Sequence, residues 1–557
     1  MLLALRFALT ACLLGLASLC CAAAKPNLVL VTLDSARADR MGFLGAKTGL
    51  TPNLDLFARE SLTFEHAYAQ APSTVVSHAT ILSGTYPQAT GITEIGGALP
   101  ATLPYLPDLL RGQGYRTAAF VTSYQLDPRN GLAQGFERGF QSYAVGPPLA
   151  GAIAWLSHTA SGPFFLWIHL SGSAPSVSYN SSLTAADGTI AKLIAALKQE
   201  RVYATTGILV VADHGESLGA HGEQTHGIFL YDEAIHVPLL LKLPEAQPIP
   251  KRVATKVRLV DIAPTLLEIA GVPVPSQMQG QSLLRIARAS GGADQPVYSR
   301  SEHPQRGFGW SLLESWRAGK YLYIRAPKPE LYDLTADPGA TRNLAQTSKA
   351  TLDTMAAQLE SFDRRFSGDA GKAQGAELNS SEMQKLASLG YVGLQKAAGA
   401  STTVTGTDPK DKIAIANKVI EAAEAVPYPP VVETRDRTAS AKLDRAIAAL
   451  QPIVAADPNL YLAQYALGVA LAGKGRYDDA AKHLHRAIEL QPDSAWAHYA
   501  MGMTLLKTGN YKAASVHLEI AATRLPNFAS AREALAQAHE HLGRGEDAKQ
   551  QRARTEK

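Results

Sequence analysis

The stretch Gly207-Ile-Leu-Val-Val-Ala212, followed directly by Asp213-His214-Gly215-Glu216, decides the fold of this chain. A short continuous apolar run of this kind is typical of a strand buried on both faces of a parallel sheet. A second such strand, Asn27 to Leu33, is followed by Asp34. In open α/β sheets, ligands bind outside the carboxyl ends of the strands. The two strand-ending carboxylates therefore predict a site for a hard cation.

Further apolar runs between Lys25 and about Ser367 alternate with amphipathic stretches that predict helices, such as Ala185–Lys198 and Leu259–Ala270. This alternation predicts an α/β domain with a doubly wound, mostly parallel sheet. The predicted strands are Leu28–Leu33, Ala118–Thr122, Phe164–Leu170, Gly207–Ala212, Val237–Leu241 and Val297–Ser299. Tyr321–Ile324 and Glu330–Leu334 predict a small antiparallel addition.

Residues 1–24 predict a cleaved secretory signal peptide. They hold one charge, Arg6, then an apolar stretch and the small-residue triplet that ends at Ala24. A secreted or periplasmic protein is expected, and a retained membrane anchor is the alternative. The three cysteines (Cys12, Cys20 and Cys21) all lie in this segment, which leaves the mature chain without thiols. Its formal charge would be +3 (52 Lys and Arg against 49 Asp and Glu), too weak to indicate a nucleic-acid partner.

The last part of the chain contains a 34-residue repeat. Pro458, Pro492 and Pro526 follow one another at that spacing, with small residues at fixed places between them. This period is typical of tetratricopeptide repeats and predicts an all-α solenoid over residues 411–557, whose concave face is a possible site for a protein partner. Residues 368–410 predict a linker with a short helix at Ser381–Leu389, and Asp436–Asp457 predicts a helix of an earlier, atypical repeat. A fragment ending before about residue 400 is expected to keep any activity, because every candidate site residue precedes the linker.

The segment from Ala71 to Gly84, which contains Thr74-Val-Val-Ser-His78, resembles the signature of the sulfatase branch of the alkaline phosphatase superfamily. Asp34-Ser-Ala-Arg37-Ala-Asp39 and the segment from Asp213 to Gly227 resemble the two metal motifs of that family, in the right order. The resemblance covers about residues 26–345. Sulfatase relatives with appended tetratricopeptide repeats form a recognisable subgroup.

The resemblance implies a hydrolase domain over residues 25–367 with one divalent metal ion (Ca, Mn or Zn). Asp34, Thr74, Asp213 and His214 are the predicted ligands, and Thr74 is also the predicted nucleophile, since coordination activates a hydroxyl. His221 and His226 are predicted to contact the transferred group or protonate the leaving oxygen. Arg37 and His78 are predicted to bind the substrate. The alternatives are that Arg37 fixes the loop to Asp39 and that His78 is structural.

Several positions depart from the family pattern. Threonine cannot be converted to formylglycine, and it is the nucleophile of phosphodiesterase and phosphoglycerol-transferase relatives. Phe120-Val-Thr-Ser123 and Ser171-Gly-Ser-Ala174 stand where sulfatases place substrate-binding Lys and His residues. The predicted function is metal-dependent hydrolysis of sulfate or phosphate esters of small molecules, glycans or lipids. A phosphoglycerol- or phosphoethanolamine-type transferase and a catalytically degenerate, protein-binding scaffold are the alternatives.

Overall fold

The computed structural model describes residues 25–92, 98–130, 133–157, 162–171, 178–245, 251–289, 295–366, 386, 404–426, 430 and 436–554. The predicted signal peptide lies outside the described residues. So does most of the predicted linker, including its predicted helix at Ser381–Leu389 apart from Leu386.

The central sheet of the described chain has nine strands in the order β4-β3-β5-β1-β6-β7-β2-β8, with β9 also pairing with β2. Strands β4, β3, β5, β1 and β6 are parallel to their neighbours, whereas β7 runs antiparallel between β6 and β2. The predicted mostly parallel sheet is thus confirmed. The bounds are β1 Asn27–Leu33, β2 Leu62–Tyr68, β3 Arg116–Val121, β4 Ser142–Val145, β5 Phe164–Leu170, β6 Thr206–Ala212, β7 His236–Lys242, β8 Arg252–Val253 and β9 Val257–Arg258.

A second, four-stranded antiparallel sheet follows, in the order β10-β11-β12-β13. Its strands are β10 Val297–Ser301, β11 Leu313–Ala318, β12 Tyr321–Arg325 and β13 Glu330–Asp333. The predicted antiparallel addition is confirmed, but the assignment of Val297–Ser299 to the main sheet is wrong. That run instead pairs with Leu313–Ala318, because the polar residues between them form a short helix that turns the chain back.

The helices flank the two sheets and then form the C-terminal region. In chain order they are α1 Pro52–Ala58, α2 Thr74–Ser83, α3 Pro87–Thr90, α4 Leu106–Gly112, α5 Pro148–Ser157, α6 Tyr179–Gln199, α7 Asp232–Ile235, α8 Ile262–Ile269, α9 Leu283–Arg288, α10 His303–Phe308, α11 Lys349–Phe366, α12 Ile413–Glu424, α13 Arg437–Ala456, α14 Tyr461–Gly473, α15 Tyr477–Leu490, α16 Ala495–Lys507, α17 Tyr511–Arg524, α18 Ala529–His541 and α19 Gly545–Ala553. No helix in the described ranges is both long enough and apolar enough to span a bilayer.

Strands β1, β5 and β6 lie at the centre of the sheet and are buried along their whole length, as their unbroken apolar sequences predict. The parallel register pairs Leu33 of β1 with Ala212 of β6, so the two chains leave the sheet side by side. Strand β2 was not predicted, because Glu65 and His66 interrupt its apolar pattern. The central strands therefore fix the position of Asp34 and Asp213.

The C-terminal helices pair as the 34-residue period predicts, since α14 packs on α15, α16 on α17 and α18 on α19. Pro458, Pro492 and Pro526 each follow the second helix of a pair, and α13 is the predicted earlier helix. The small residues permit close contact. A Cβ on Gly502 would lie 2.5 Å from Cγ of Leu518 on the partner helix, far inside van der Waals distance.

The repeat region also packs against the hydrolase region. One continuous apolar cluster contains β-sheet residues such as Val210 together with Ala416 and Val419 of α12 and Leu467 of α14. Lys410 Nζ lies 2.8 Å from Glu330 Oε1, and Gln134 Nε2 donates to the carbonyl of Arg524 at 3.0 Å. This shared core argues against the independent hydrolase fragment expected from the sequence, because removing the repeats would expose its apolar face.

Replacing Gly502 with valine is expected to lower the local stability of α16 and α17 by about 1–3 kcal/mol, because the added methyl groups overlap Leu518. Hydrogen–deuterium exchange of peptides from the two helices measures this loss. Gly545→Val is the matched control, since nothing lies within 4 Å of a Cβ there, and its effect should stay within about 0.5 kcal/mol. Equal exchange in both variants would refute the packing argument.

Proteolytic cleavage between residues 367 and 403 is expected to leave two fragments that stay associated, because the apolar cluster spans both. Size-exclusion chromatography of the cleaved protein, compared with a denaturing gel, tests this. A separately produced fragment of residues 25–366 should aggregate or bind a hydrophobic dye. Two fragments that elute apart, each stable, would restore the independent-domain model.

Candidate metal and nucleophile site

Two carboxylates meet where β1 and β6 end. The backbone N–H of Asp34 donates to the carbonyl of Leu170 at 2.9 Å, and that of Asp213 donates to the carbonyl of Leu33 at 3.0 Å. Sheet hydrogen bonding thus continues one residue past each strand and fixes both Cα atoms. The predicted juxtaposition of Asp34 and Asp213 is present.

The two oxygens of the fully buried Asp213 carboxylate differ in their surroundings. Oδ1 accepts hydrogen bonds from the backbone N–H groups of His214 at 2.8 Å and Ser35 at 3.1 Å. Ser35 reaches it through a left-handed conformation with φ of +56°. Oδ2 has no hydrogen-bond partner among the described groups. Burial and the charge of Asp34 raise the pKa of Asp213 well above its usual range.

His214 directs one ring nitrogen into the same space. Its Nδ1 lies 2.8 Å from the carbonyl of Gly215, which can only accept, so Nδ1 carries the proton. The lone pair of Nε2 is then free for another group, and this atom lies 3.7 Å from Asp34 Oδ1 and 3.7 Å from Asp213 Oδ2. Gly215 is required here, because a Cβ would lie 2.0 Å from the carbonyl oxygen of Glu233.

These groups fit a divalent cation. One ligand atom from each of Asp34, Asp213 and His214 lies within 4.8 Å of the others. A buried carboxylate oxygen without a partner beside a second carboxylate is costly unless a cation compensates both. Carboxylate oxygens with one imidazole nitrogen suit Ca²⁺, Mn²⁺ or Zn²⁺, and the arrangement does not select among them.

Thr74 completes the group. Its Oγ1 lies 3.2 Å from Nε2 of His214, which places the hydroxyl beside the candidate ligands. The helix α2 begins at Thr74 itself. Ser73, the residue before the helix, makes no side-chain cap, so the first N–H groups of α2 remain available to an anion.

His78 was predicted to bind substrate, but its contacts favour the structural alternative. Its Nδ1 donates to the backbone carbonyl of Thr74 at 2.7 Å, and its Nε2 accepts from the hydroxyl of Thr32 at 3.0 Å. Burial lowers the pKa of His78 to about 4, so the ring is neutral. Both nitrogens are engaged in fixing the first turn of α2, which matches the structural alternative.

Arg37 was also predicted to bind substrate, and its partners favour the alternative role instead. Nε and Nη2 donate to the two oxygens of Asp39 at 2.8 and 2.7 Å, and Nη1 donates to the carbonyl of Glu216 at 3.0 Å. The guanidinium therefore joins the loop after β1 to the loop after β6. A group committed in this way is not positioned to receive a substrate anion.

His226 does lie at the site. Its ring centroid is 4.3 Å from that of His214, and its Nδ1 donates to Glu216 Oε2 at 3.1 Å. Burial opposes protonation of His226, but the carboxylates of Glu216 and Asp34 outweigh it and raise its pKa to about 9. The side chain is 31% exposed, so part of the ring can be reached from solvent.

His221 makes different contacts. Its ring stacks on Tyr231 with centroids 3.6 Å apart, and its Nε2 lies 3.9 Å from Glu233 Oε2. These contacts support the loop that carries His226. The catalytic role of His221 stays a prediction, and the contacts of its ring with Tyr231 and Glu233 do not favour it.

Four contributors were not identified from the sequence. They are Thr32, Ser35, Tyr179 and Glu216. The hydroxyl of Thr32 accepts a hydrogen bond from Trp167 Nε1 and is also hydrogen-bonded to His78 and His169. The hydroxyl of Tyr179 donates to the carbonyl of Ser35 and accepts from the N–H of Arg37. Of these four residues, only Glu216 could have been identified from the sequence, because it lies close to the Asp213–His214 pair. The others act through backbone and buried hydroxyl contacts that no spacing reveals.

The structure describes some of the positions that depart from the family pattern. Phe120 is buried, and Ser171 donates its N–H to Thr122 Oγ1 at 2.6 Å, while the rest of the segment after Ser171 lies outside the described residues. Among the described residues beside the ligand cluster, His226 is a histidine whose pKa the neighbouring carboxylates of Glu216 and Asp34 raise.

Fold and site together define an α/β domain of the sulfatase type with a candidate site for a divalent metal ion. Residues 26–272 match the family model described as sulfatase, and residues 221–364 match the C-terminal model of N-sulphoglucosamine sulphohydrolase. Residues 26–272 therefore form a sulfatase domain, as predicted. Residues 470–509 and 499–553 match tetratricopeptide repeat models, which confirms the repeats.

Individual relatives agree. Arylsulfatase K of Xenopus laevis is 30% identical over 200 residues, which cover 33% of this chain and 36% of that protein. The chain thus spans about a third of that relative. A Δ4,5-hexuronate-2-O-sulfatase of Bacteroides thetaiotaomicron is 24% identical over 426 residues, covering 60% of this chain and 88% of that one.

Solved structures show the same fold. A 2-O GAG sulfatase has 19% identity and a TM-score of 0.51, covering 62% of this chain and 93% of that chain. The phosphonate monoester hydrolase of Agrobacterium radiobacter has 18% identity and a TM-score of 0.52, with coverage of 64% and 98%.

Asp213→Asn is expected to weaken binding of Ca²⁺, Mn²⁺ and Zn²⁺, because it removes a charged ligand from a buried cluster. Thermal unfolding with and without each ion measures the effect, since an ion that binds only the folded state stabilises it. Asp187→Asn is a control for a buried carboxylate elsewhere in the domain, where its oxygens cap α1. It should keep the metal-dependent shift, and an equal loss in both variants would contradict the assignment.

Proposed function

We propose that the protein hydrolyses sulfate esters with Thr74 as the nucleophile. The observation that carries this proposal is the position of Thr74 Oγ1, 3.2 Å from His214 Nε2 and beside the carboxylates of Asp34 and Asp213. A nucleophile of low intrinsic reactivity sits within a set of metal ligands at the N-terminus of a helix. The sulfatase family model and the sulfatase relatives support the reaction class.

A divalent cation held by Asp34, Thr74, Asp213 and His214 would lower the pKa of the Thr74 hydroxyl and would polarise a non-bridging oxygen of the substrate ester. The protein's own groups orient the nucleophile, stabilise negative charge and hold the ligand loops together. His78 holds the carbonyl of Thr74 and so orients the side chain. The uncapped N–H groups at the start of α2 face developing negative charge, and Arg37 keeps the two ligand loops together.

His226 is proposed to deliver a proton to the leaving oxygen. Its Nδ1 is hydrogen-bonded to Glu216, which orients the ring and leaves Nε2 as the atom proposed to donate the proton. The protonated ring of His226 also keeps a positive charge next to the ligand cluster. The chain lacks the substrate-binding lysine of the family pattern. His226 therefore combines substrate attraction with proton donation.

Sulfated small molecules or glycans are the proposed substrates, in keeping with the names of the sulfatase relatives. Phosphate esters remain the second candidate, because an unmodified threonine hydroxyl is also suited to phosphoryl transfer. We further propose that the protein acts outside the cytoplasm after removal of residues 1–24, and that the repeats bind a protein partner.

Thr74→Ala is expected to abolish turnover, a loss of at least about 10³-fold, while leaving the fold intact, because it removes the nucleophile and little volume. Initial rates on aryl sulfate, phosphate monoester and phosphodiester with Ca²⁺, Mn²⁺ or Zn²⁺ test this and identify the ester.

Thr80→Ala is the matched control. Thr80 is a buried threonine on the same helix, and its hydroxyl has no partner among the described groups, so the variant should remain active. If Thr74→Ala kept full activity, the nucleophile assignment would be wrong and Ser73 or Ser77 would need testing.

A further inference from the structure

Glu223 is a buried carboxylate inside the loop that carries His226. Its Oε2 accepts from the hydroxyl of Ser217 at 2.7 Å, and its Oε1 accepts from the backbone N–H of Ile228 at 2.8 Å. Oε2 also accepts from the N–H of Phe229 at 3.3 Å. Glu223 is fully buried, and its three partners are buried with it. One side chain therefore ties the two ends of the loop together.

The two ends of this loop carry the Glu216–His226 pair. Glu216 directly precedes Ser217, and His226 lies two residues before Ile228. The N–H of Ser217 also donates to the carbonyl of Thr225 at 2.7 Å, so the two ends run side by side. The 3.1 Å hydrogen bond from His226 Nδ1 to Glu216 Oε2 joins the same two ends. The separation of the pair is thus set where the buried carboxylate closes the loop.

Helix α12 holds the backbone on either side of Glu223. The carbonyl of Gly222 accepts from Asn417 Nδ2 at 2.7 Å, and the N–H of Gln224 donates to Asn417 Oδ1 at 3.1 Å. A Cβ on Gly222 would lie 3.3 Å from Cγ2 of Ile413 on the same helix. Because both neighbours of Glu223 are bonded to one amide, the backbone that carries its side chain is fixed.

The burial of Glu223 has a cost that its hydrogen bonds offset in part. Burial raises the pKa of Glu223 to about 7, although the hydrogen bonds from Ser217 and Ile228 and the charge of His226 oppose this rise. A residue of a solvated turn would keep its carboxylate in water instead. A buried carboxylate that binds three donors from two chain segments is typical of a group that fixes the geometry of a site.

We propose that Glu223 is a positioning residue, which holds His226 against Glu216 so that Nε2 can give its proton to the leaving oxygen. As the S–O bond of the ester breaks, its electron pair goes to that oxygen, which takes the proton from His226. This proposal rests on the proposed function of the site. Glu223 acts only through the loop, and the role is one that the sequence analysis did not assign to it.

Two aryl sulfates that differ in their need for a proton test this role. 4-Nitrophenolate leaves without protonation, whereas 4-methylphenolate, whose phenol has a pKa of about 10, depends on a proton donor. The full chain is supplied with the divalent cation that stabilises it most. Glu223→Ala should then reduce kcat/KM for 4-methylphenyl sulfate about tenfold more than kcat/KM for 4-nitrophenyl sulfate. A general loss of folded protein would reduce both equally. The corresponding phosphate monoesters replace the sulfates if only they are turned over.

Three further variants sharpen the test. His226→Ala should show the same selective loss, and the double variant should show no more than His226→Ala alone, because both changes remove one function. Glu223→Gln should restore the ratio of the two rates, since its amide can accept from the N–H of Ile228 and donate to the hydroxyl of Ser217. If Glu223→Ala does not fold, Ser217→Ala takes its place and should show a selective loss in the same direction, because it removes the shortest of the three hydrogen bonds.

Asp187→Ala is the matched control. Its buried carboxylate also accepts from backbone N–H groups, so its removal disturbs the fold in a similar way, but the ratio of the two rates should not change. An unchanged ratio in Glu223→Ala beside a selective loss in His226→Ala overturns the positioning role but not the proposed function. An equal change in Asp187→Ala, or a further selective loss in the double variant, also overturns it. Without a selective loss in His226→Ala, the proton-donor role and the positioning role both fail.

If no ester is turned over, the proposed function fails, and the reaction of His226 with diethyl pyrocarbonate still decides the positioning role. Mass spectrometry compares the modification of His226 with that of the exposed His541 in the same sample. Glu223→Ala should increase this ratio, because a ring that no longer donates to Glu216 is more accessible and more nucleophilic. Glu223→Gln should leave it at the wild-type value. Equal ratios in all three proteins overturn the proposal.

Discussion

The rest of the site depends on holding two carboxylates side by side at the end of a buried parallel sheet. The pairing of Leu33 with Ala212 makes Asp34 and Asp213 neighbours, and their mutual repulsion makes the site incomplete without a cation. The surrounding backbone is arranged to tolerate this. Ser35 adopts a left-handed conformation to donate to Asp213, and His214 gives its one proton to a carbonyl so that its lone pair faces the same space.

A buried series of hydrogen bonds between neutral polar groups supports the ligand cluster. The carbonyl of Thr74 is bound by His78, His78 by Thr32, and Thr32 also by His169 and Trp167. Because burial lowers the pKa of His78 to about 4, this side chain contributes no charge to the site. The site thus relies on the bound cation, on helix N–H groups and on His226 for attraction of an anion, which is an economical but weaker grip.

The sequence predicted what depends on strand ends and on repeat spacing. Asp34, Asp213, His214 and Thr74 come together because each follows or begins an element whose type is evident from its pattern. The sequence left two roles open for each of Arg37 and His78, because the hydrogen-bond partners that decide between them, such as Asp39 and Thr32, are set by tertiary packing. The same holds for strand β2, whose interior charge at Glu65 is accommodated only because Arg252 lies across from it.

The packing of the C-terminal helices on the α/β domain was the hardest feature to predict. A 34-residue period describes how helical hairpins stack on one another, but it does not indicate what their outer surfaces contact. The chain nevertheless uses α12 as a bridge, with Ala416 and Val419 in the shared apolar cluster and Asn417 bonded to the His226 loop. A loop held from two domains loses conformational freedom, which favours a fixed orientation of His226 and Glu216. A movement of the solenoid, for example on binding a protein partner, would be transmitted to that loop through Asn417. Helix α12 is accordingly better regarded as a support of the loop that carries His226 than as part of a linker.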